Sequence, residues 1–399
     1  MLFFSQLLIM AGYDAMNPFL SLFMKNELAI GASGSLEFYI TLYQIASFFA
    51  YGISSPLWGW LGDKYGMKVM LLRGTFLTSL FWPMMAYVTH PLPLVILRCV
   101  TAFLAGTTAA SQIMLARTAP LERQGFAQGT LMSAFWSGSI FGNLIGGLIT
   151  HYFSYKVAFW SCGAMYFLGG IFILFTHDPG KAPEEGKTAS RNSLSSLSRV
   201  VWLIIGLFML MSIIRKMDLP YVSLRVETLK EDANKWTGII SAIVGCSSML
   251  AGIFCGHVVD RFPARRLIVP VVGLIGVFLF MQGFGNQFWL FAFHRTLCFF
   301  VAGALQPMLQ KLLSARTAHD NRGLAFGLSI TFISVGGIIA SSLAGILARY
   351  LGLNAVFWGG GLITMCLVPV FYLGVVKSEA VPENLAPKAQ PDGPSARKC

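Results

Sequence analysis

Asp14, Arg98, Asn143 and Lys216 are charged or polar side chains set inside stretches otherwise built of Leu, Ile, Phe, Val and Gly. On insertion scales a charge at the centre of a bilayer-spanning helix costs about 2.5–3.5 kcal/mol, so each needs a partner, water or a proton. A carboxylate there, such as Asp14, must be solvated, paired or protonated, and each change of state alters the local charge by one unit. A guanidinium such as Arg98 stays charged, and either faces a partner in a wet cavity or snorkels toward an interface. Arg215, Lys216 and Asp218 form a second cluster, just beyond the apolar run 200–214. Arg215 and Asp218, three apart on a helix, can satisfy each other. Aligning Pro18-Phe-Leu-Ser-Leu with Pro220-Tyr-Val-Ser-Leu sets Asp14 opposite Lys216, so an acid and a base can also pair across a cavity mouth. The chemistry on offer is proton binding and charge recognition.

The elements that must hold these groups are long apolar helices. Hydrophobic residues make up 55% of the 399 and charged residues only 12%, against about 25% charged in a soluble domain. Twelve apolar runs, each near the roughly 20 residues needed to cross a bilayer, lie at about 2–24, 36–60, 68–89, 91–117, 126–150, 156–176, 199–226, 235–258, 266–284, 287–315, 324–350 and 354–376. Residues 2–24 carry Asp14 and Pro18 and read as a span rather than a cleavable leader. If Pro18 matches Pro220, this first span is short or begins before Met1. The net charge of +12 invites a nucleic-acid reading, but eighteen Lys and Arg fall in one set of alternating loops and ends and six in the other. That bias sets orientation, with both termini expected in the cytoplasm. None of the seven cysteines has a CxxC or paired spacing, so free thiols are expected.

The chain also repeats itself. An offset of 197 carries Gly59, Asp63, Arg98 and Gly106 onto Gly256, Asp260, Arg295 and Gly303; an offset of 198 carries Gly129, Gly138, Gly147 and Phe159-Trp160 onto Gly327, Gly336, Gly345 and Phe357-Trp358. Two similar sets of six apolar helices mark a duplicated membrane transporter. The expected fold is all-α, with twelve transmembrane helices in two pseudo-symmetric six-helix bundles. The bundles are expected at 1–176 and 199–376, joined by a cytoplasmic linker over 177–198 rich in Pro, Gly, Ser and charge. Residues 377–399 read as a disordered tail.

Three motifs carry a family resemblance over almost all of residues 1–376. The first is the turn between spans 2 and 3, Gly59-Trp-Leu-Gly-Asp63-Lys64-Tyr-Gly66-Met-Lys68, with Arg73 beyond it, repeated after span 8 as Gly256 to Arg261 with Arg265 and Arg266. Gly59 and Gly62 suit close helix approach, and Gly66 a tight turn. The second motif is Leu94-Val-Ile-Leu-Arg98 followed by Gly106, and the third is Gly138-Ser-Ile-Phe-Gly142-Asn143-Leu-Ile-Gly146-Gly147. Together they resemble the major facilitator superfamily, and within it the twelve-helix drug:proton antiporter branch of the MdtG-like type. The resemblance implies a cytoplasmic charge network that latches the halves, falling on Asp63, Lys64, Lys68, Arg73, Asp260, Arg261, Arg265 and Arg266. It implies a proton-handling role for Arg98 and for the embedded carboxylate Asp14. Asn143 stands where the branch's third motif has a proline that kinks span 5. It is either a cavity hydrogen-bonding group or a helix–helix contact, and it favours a proton-coupled importer or a dedicated exporter of one metabolite as the alternative to drug antiport.

Tyr13, Gln112, Phe135, Trp136, Tyr221, Gln306, Gln310 and Phe332 fall on spans that line the cavity in that family. Aromatics with a few amides suit amphipathic solutes. No Walker loop, metal-ligand spacing or nucleophile triad is present in the sequence, which argues against an enzyme. The expectation is a monomeric, multi-pass carrier in the bacterial cytoplasmic membrane. It exports small amphipathic molecules by alternating access and needs no cofactor beyond the proton gradient. Its partners are the substrate, protons and the bilayer, with no nucleic acid. A non-transporting membrane sensor is the remaining alternative.

Overall fold

Ser35, Ser154 and Ser198 each cap a long apolar helix, their hydroxyls accepting the amides of Phe38, Val157 and Val201 at 3.2–3.3 Å. In the computed structural model, residues 1–30, 35–118, 124–176, 197–317 and 322–380 are described. Among them are sixteen α-helices, which pair into twelve crossings. In the first half, span 1 is α1 (Leu2–Asp14) with α2 (Leu20–Glu27). Span 2 is α3 (Leu36–Tyr65) and span 3 is α4 (Met67–Met84). Span 4 is α5 (Pro91–Leu104) with α6 (Thr107–Thr118), span 5 is α7 (Gln124–Tyr152) and span 6 is α8 (Tyr155–Leu174). The second half repeats this order. Span 7 is α9 (Arg199–Lys216) with α10 (Val222–Leu229), span 8 is α11 (Ala233–Arg261) and span 9 is α12 (Ala264–Phe284). Span 10 is α13 (Phe288–Ala302) with α14 (Leu305–Arg316), span 11 is α15 (Arg322–Leu351) and span 12 is α16 (Leu353–Ala380).

Spans 1 and 7 break at matching places. A 3-10 turn holds Asn17–Phe19 in one and Leu219–Tyr221 in the other, each opened by a proline whose missing amide cannot extend the preceding helix. Span 4 breaks at Gly106, where φ is +117°, a backbone that a side chain would strain. Gly66, at φ +100°, ends span 2 and starts span 3. Nine helices among the described residues are long and apolar enough to cross a bilayer on their own. Spans 2, 4 and 8 fall outside that set. Span 4 is divided by its break, span 2 places polar groups such as Ser47 and Ser54 in the protein interior rather than against lipid, and span 8 is described only in part. Phe4, Leu80, Trp160, Phe293 and Leu373 point outward, an apolar surface that lipid covers.

Two expectations need correction. Residues 377–380, expected in the tail, belong to α16, which runs through Lys377 to Ala380, and the Ser378 hydroxyl bonds back to the Val375 carbonyl at 2.7 Å; the rest of the expected tail lies outside the described residues. Gly59 was expected to allow close helix approach, yet a Cβ there would touch nothing within 4 Å. The linker expected over 177–198 lies outside the described residues except for Leu197 and Ser198.

The bonds joining described residues of the two halves gather at the end away from the termini. Ser21 Oγ donates to the Pro220 carbonyl at 2.5 Å, Lys25 pairs with Glu227 at 2.8 Å, and Asn234 reaches Tyr155 and the Thr150 carbonyl. Thr41 Oγ1 also reaches the Ser341 carbonyl at 3.5 Å. Small residues show the taper. Eighteen residues make five helical turns, so positions eighteen apart share one face, about 27 Å along the axis. On span 5, Gly147 lies against Gly238 of span 8, whereas Gly129 on the same face has open space. On span 11, Gly345 lies against Thr41, whereas Gly327 has open space. Span 2 repeats the pattern from Thr41 to Gly59, and span 8 from Gly245, packed on Ile140, to the open Gly252. Among the described residues the halves form a V, closed at the far end and open toward the termini.

Candidate functional site

Arg98 is buried on span 4, 4% exposed, and is held by span 1 and span 2. Its Nε donates to Ser47 Oγ and its NH2 to the Tyr13 hydroxyl, both at 2.7 Å. The guanidinium also lies 5.0 Å from the Tyr13 ring centroid and 5.2 Å from that of Tyr43. Ser47 in turn donates to the Tyr43 carbonyl. Arg98 therefore faces protein partners rather than snorkelling, and those partners are neutral.

Asp14 is the last residue of α1, at the break in span 1. Its carboxylate lies beside Ser139 on span 5 and feels the charge of Arg98 without a salt bridge among the described residues. Asn143, one turn further along span 5, donates its amide to the Ser139 carbonyl at 2.8 Å. Its amide nitrogen is therefore satisfied within its own helix. Without the proline, α7 is continuous from Gln124 to Tyr152. Gly138, Gly142 and Gly146 set this helix directly against the backbone of span 1 at Leu7, Ala11 and Ala15, which fixes Ser139 beside Asp14.

The second half answers with a different solution. Arg295, the repeat partner of Arg98, is 3% exposed and forms a buried ion pair with Asp218, while Gln282 Oε1 accepts a further bond at 3.3 Å. Both pairings expected from the sequence are thus replaced. Asp218 serves Arg295 rather than Arg215, because Asp218 follows the end of α9 and leaves that helix's face. Lys216 does not meet Asp14; its Nζ lies 4.2 Å from the ring centroid of Phe48 on span 2. Arg215 donates to Gln306 Oε1 on span 10 at 3.2 Å. The 197 offset pointed at Arg295, and Asp218 was already in view; their pairing was the part not read.

Of the expected lining residues, Tyr13 and Gln306 hold arginines, Gln310 is exposed, and Gln112 gives its backbone carbonyl to Gln128. Trp136 is 36% exposed. Phe135 and Tyr221 are buried in packing instead, Tyr221 at the closed far end. Phe332 packs on Trp202.

The expected latch is not engaged across the halves at its described members. Lys68 Nζ caps span 6 through the carbonyls of Leu174 and Thr176 at 2.9 and 2.8 Å, where a helix C-terminus attracts a cation. Arg73 stacks 3.3 Å from the Trp58 ring centroid and donates to the Leu104 carbonyl. Lys64 lies over Trp60 and Tyr65. These contacts stay within the first half, as the open end of the V requires. Arg261 and Arg266 are exposed. The side chains of Asp63, Asp260 and Arg265 lie outside what is described.

A broken-helix pair, a twofold sequence repeat and two buried arginines at matching places meet in one fold. The family model for the Major Facilitator Superfamily matches residues 2–224 and 221–397. The chain belongs to that superfamily. Among proteins it resembles is the multi-drug resistance efflux pump PmrA homolog of Lactococcus lactis, 28% identical over 366 residues and covering 89% of each chain. Another is the multidrug resistance protein MdtG of Dickeya zeae, 27% identical over 355 residues, covering 87% of this chain and 86% of that one. The fold also matches a D-xylose-proton symporter at a TM-score of 0.74 and 17% identity, over 96% of this chain and 97% of that one. A nucleoside transporter, NupG, matches at 0.76 and 13% identity, over 94% and 98%. The superfamily fold thus accounts for the twelve helices and the two bundles.

Proposed function

We propose that this chain is a proton-driven exporter of small amphipathic molecules, working by alternating access in the bacterial cytoplasmic membrane with both termini inside. One observation carries the reading: Asp14, a carboxylate at a helix break, lies beside Ser139 and within the field of Arg98, in a V that opens toward the termini. Proton binding at Asp14 changes the charge of the site by one unit, and a rocking of the two halves exposes it to the other side. Arg98, tied to Tyr13 next to Asp14, links that charge to span 1. Asp63, Lys64, Lys68 and Arg73, with Asp260, Arg261, Arg265 and Arg266, then form the charged rim that meets when the near end closes. The resemblance to PmrA and MdtG, both named for multidrug resistance, supports efflux. The carrier acts as a monomer, with the proton gradient as its energy source and no cofactor.

A second reading, import or export of one dedicated solute, is favoured by Asn143, which keeps span 5 unkinked. Flux in proteoliposomes decides between them. Under an imposed pH gradient, efflux predicts uphill movement of several unrelated amphipathic solutes that Asp14→Asn abolishes. Movement of one solute only selects the dedicated transporter, and flux indifferent to the gradient overturns proton coupling.

A further inference from the structure

Charges at mid-depth do not balance. Arg98, Arg215 and Lys216 stand on spans 4 and 7, and none of the three makes a salt bridge among the described residues. Their partners are the hydroxyls of Ser47 and Tyr13, the amide oxygen of Gln306 and the ring of Phe48. Two carboxylates among the described residues lie at this depth. Asp218 is consumed by Arg295, which leaves Asp14 against three cations. The excess is two positive charges when Asp14 is ionised and three when it is protonated. An unpaired cation within a bilayer is costly, and such groups are kept where a ligand or water faces them.

Geometry says where the excess is reachable. Arg98 is nearly closed off, but Arg215 and Lys216 are only half-buried, although both sit in the last turn of α9 at the centre of the protein. Lys216 reaches across to Phe48, which follows Ser47, the residue that holds Arg98. Arg215 and Lys216 therefore border the space between the halves, with Gln306 and the exposed Gln310 one turn apart on span 10. Phe48 and Trp136 supply apolar wall.

We propose that the space between the halves takes organic anions, with a carboxylate, sulfonate or phosphonate head set between Arg215 and Lys216 and an apolar body lying along the first half. A guanidinium fork and an ammonium offer such a head charge-assisted hydrogen bonds that a cationic solute cannot use. Arg98 adds to the field without touching the ligand. This rests on the transport reading above but sets the sign of the cargo, which that reading left open.

Two dyes with one xanthene body test the sign: fluorescein, an anion, and rhodamine 123, a cation. Their binding to the full chain in nanodiscs at pH 8 is read by fluorescence anisotropy. Fluorescein is expected to bind at least tenfold more tightly than rhodamine 123. Lys216→Gln and Arg215→Gln should each lower that selectivity ratio about tenfold, whereas Lys216→Arg should keep it. Size-exclusion profiles exclude misfolded variants, and the ratio of the two dyes within one sample is independent of the active fraction. A wild-type preference for rhodamine 123, no binding of either dye, or selectivity unchanged in both Gln variants would overturn the proposal. Flux in proteoliposomes is scored separately: selective fluorescein binding without proton-driven movement upholds the anion site and removes the transport reading. Rhodamine 123 preferred and pumped does the reverse.

Discussion

Arg98 and Arg295 occupy equivalent places in the two halves, yet one is held by the hydroxyl of Tyr13 and the other by the carboxylate of Asp218. The duplicated scaffold has kept its arginine twice and used it differently. Arg295 is neutralised inside its own bundle. Arg98 keeps its charge beside Asp14.

That difference predicts opposite phenotypes. Asp218→Asn strands a buried arginine, a change that costs about 3–5 kcal/mol, and should lower thermal stability in detergent sharply. Replacing both partners, Asp218→Asn with Arg295→Gln, should recover much of the loss. Arg98→Gln gives up hydrogen bonds to neutral partners, about 1.5–3 kcal/mol, and should abolish uphill transport while the protein still purifies as a single species. Thermal unfolding alongside flux checks both; a stability loss at Arg98 equal to that at Asp218 counts against the distinction.

Asp14→Asn should reduce proton-driven flux at least tenfold, about 1.4 kcal/mol or more in coupling terms. Because no ion pair links Asp14 to Lys216, adding Lys216→Met should not restore it. Recovery in the double variant would reinstate a static pair.

The glycines divide by function. Gly146→Leu drives a side chain into the Ala15 carbonyl within one bundle; overpacking costs about 1–3 kcal/mol or more, so expression and melting temperature should fall. Gly129→Leu enters open space and should leave stability within about 0.5 kcal/mol. Turnover should nonetheless drop at least tenfold, because the near end can no longer close. Melting curves and flux, measured on both variants, separate the two effects.

At the far end, Ser21→Ala removes a buried hydrogen bond worth about 1 kcal/mol, and Lys25→Ala removes a half-exposed ion pair worth about 0–1 kcal/mol after screening. Together they should shift the population toward far-end opening several-fold. Spin-label distances between the ends of spans 1 and 7 provide the measurement; no shift would mean the seam is held by its remaining contacts, those of Asn234, Thr41 and the glycines.

Spans and repeat were legible because length and hydropathy are properties of a residue and its neighbours. Pro18 and Pro220 were legible as repeat equivalents, but the 3-10 breaks at them in spans 1 and 7 were not read. Partner choice was not legible. Each residue along a helix turns its side chain by about 100°, so depth alone does not say which neighbour a group faces. Asp218 turned toward span 10, and Lys216 toward Phe48 on span 2 rather than toward Asp14. Asn143 was readable as polar in span 5, but that its amide returns to the Ser139 carbonyl of its own helix was not.

The taper from Gly147 to Gly129 has a mechanical consequence. A molecule joined at one end and parted at the other occupies more area in one lipid leaflet than in its opposite. Lateral pressure in the leaflet at the open end then does work whenever the V closes. Lipid headgroup size and membrane tension therefore bias which way the carrier rests, with no ligand involved.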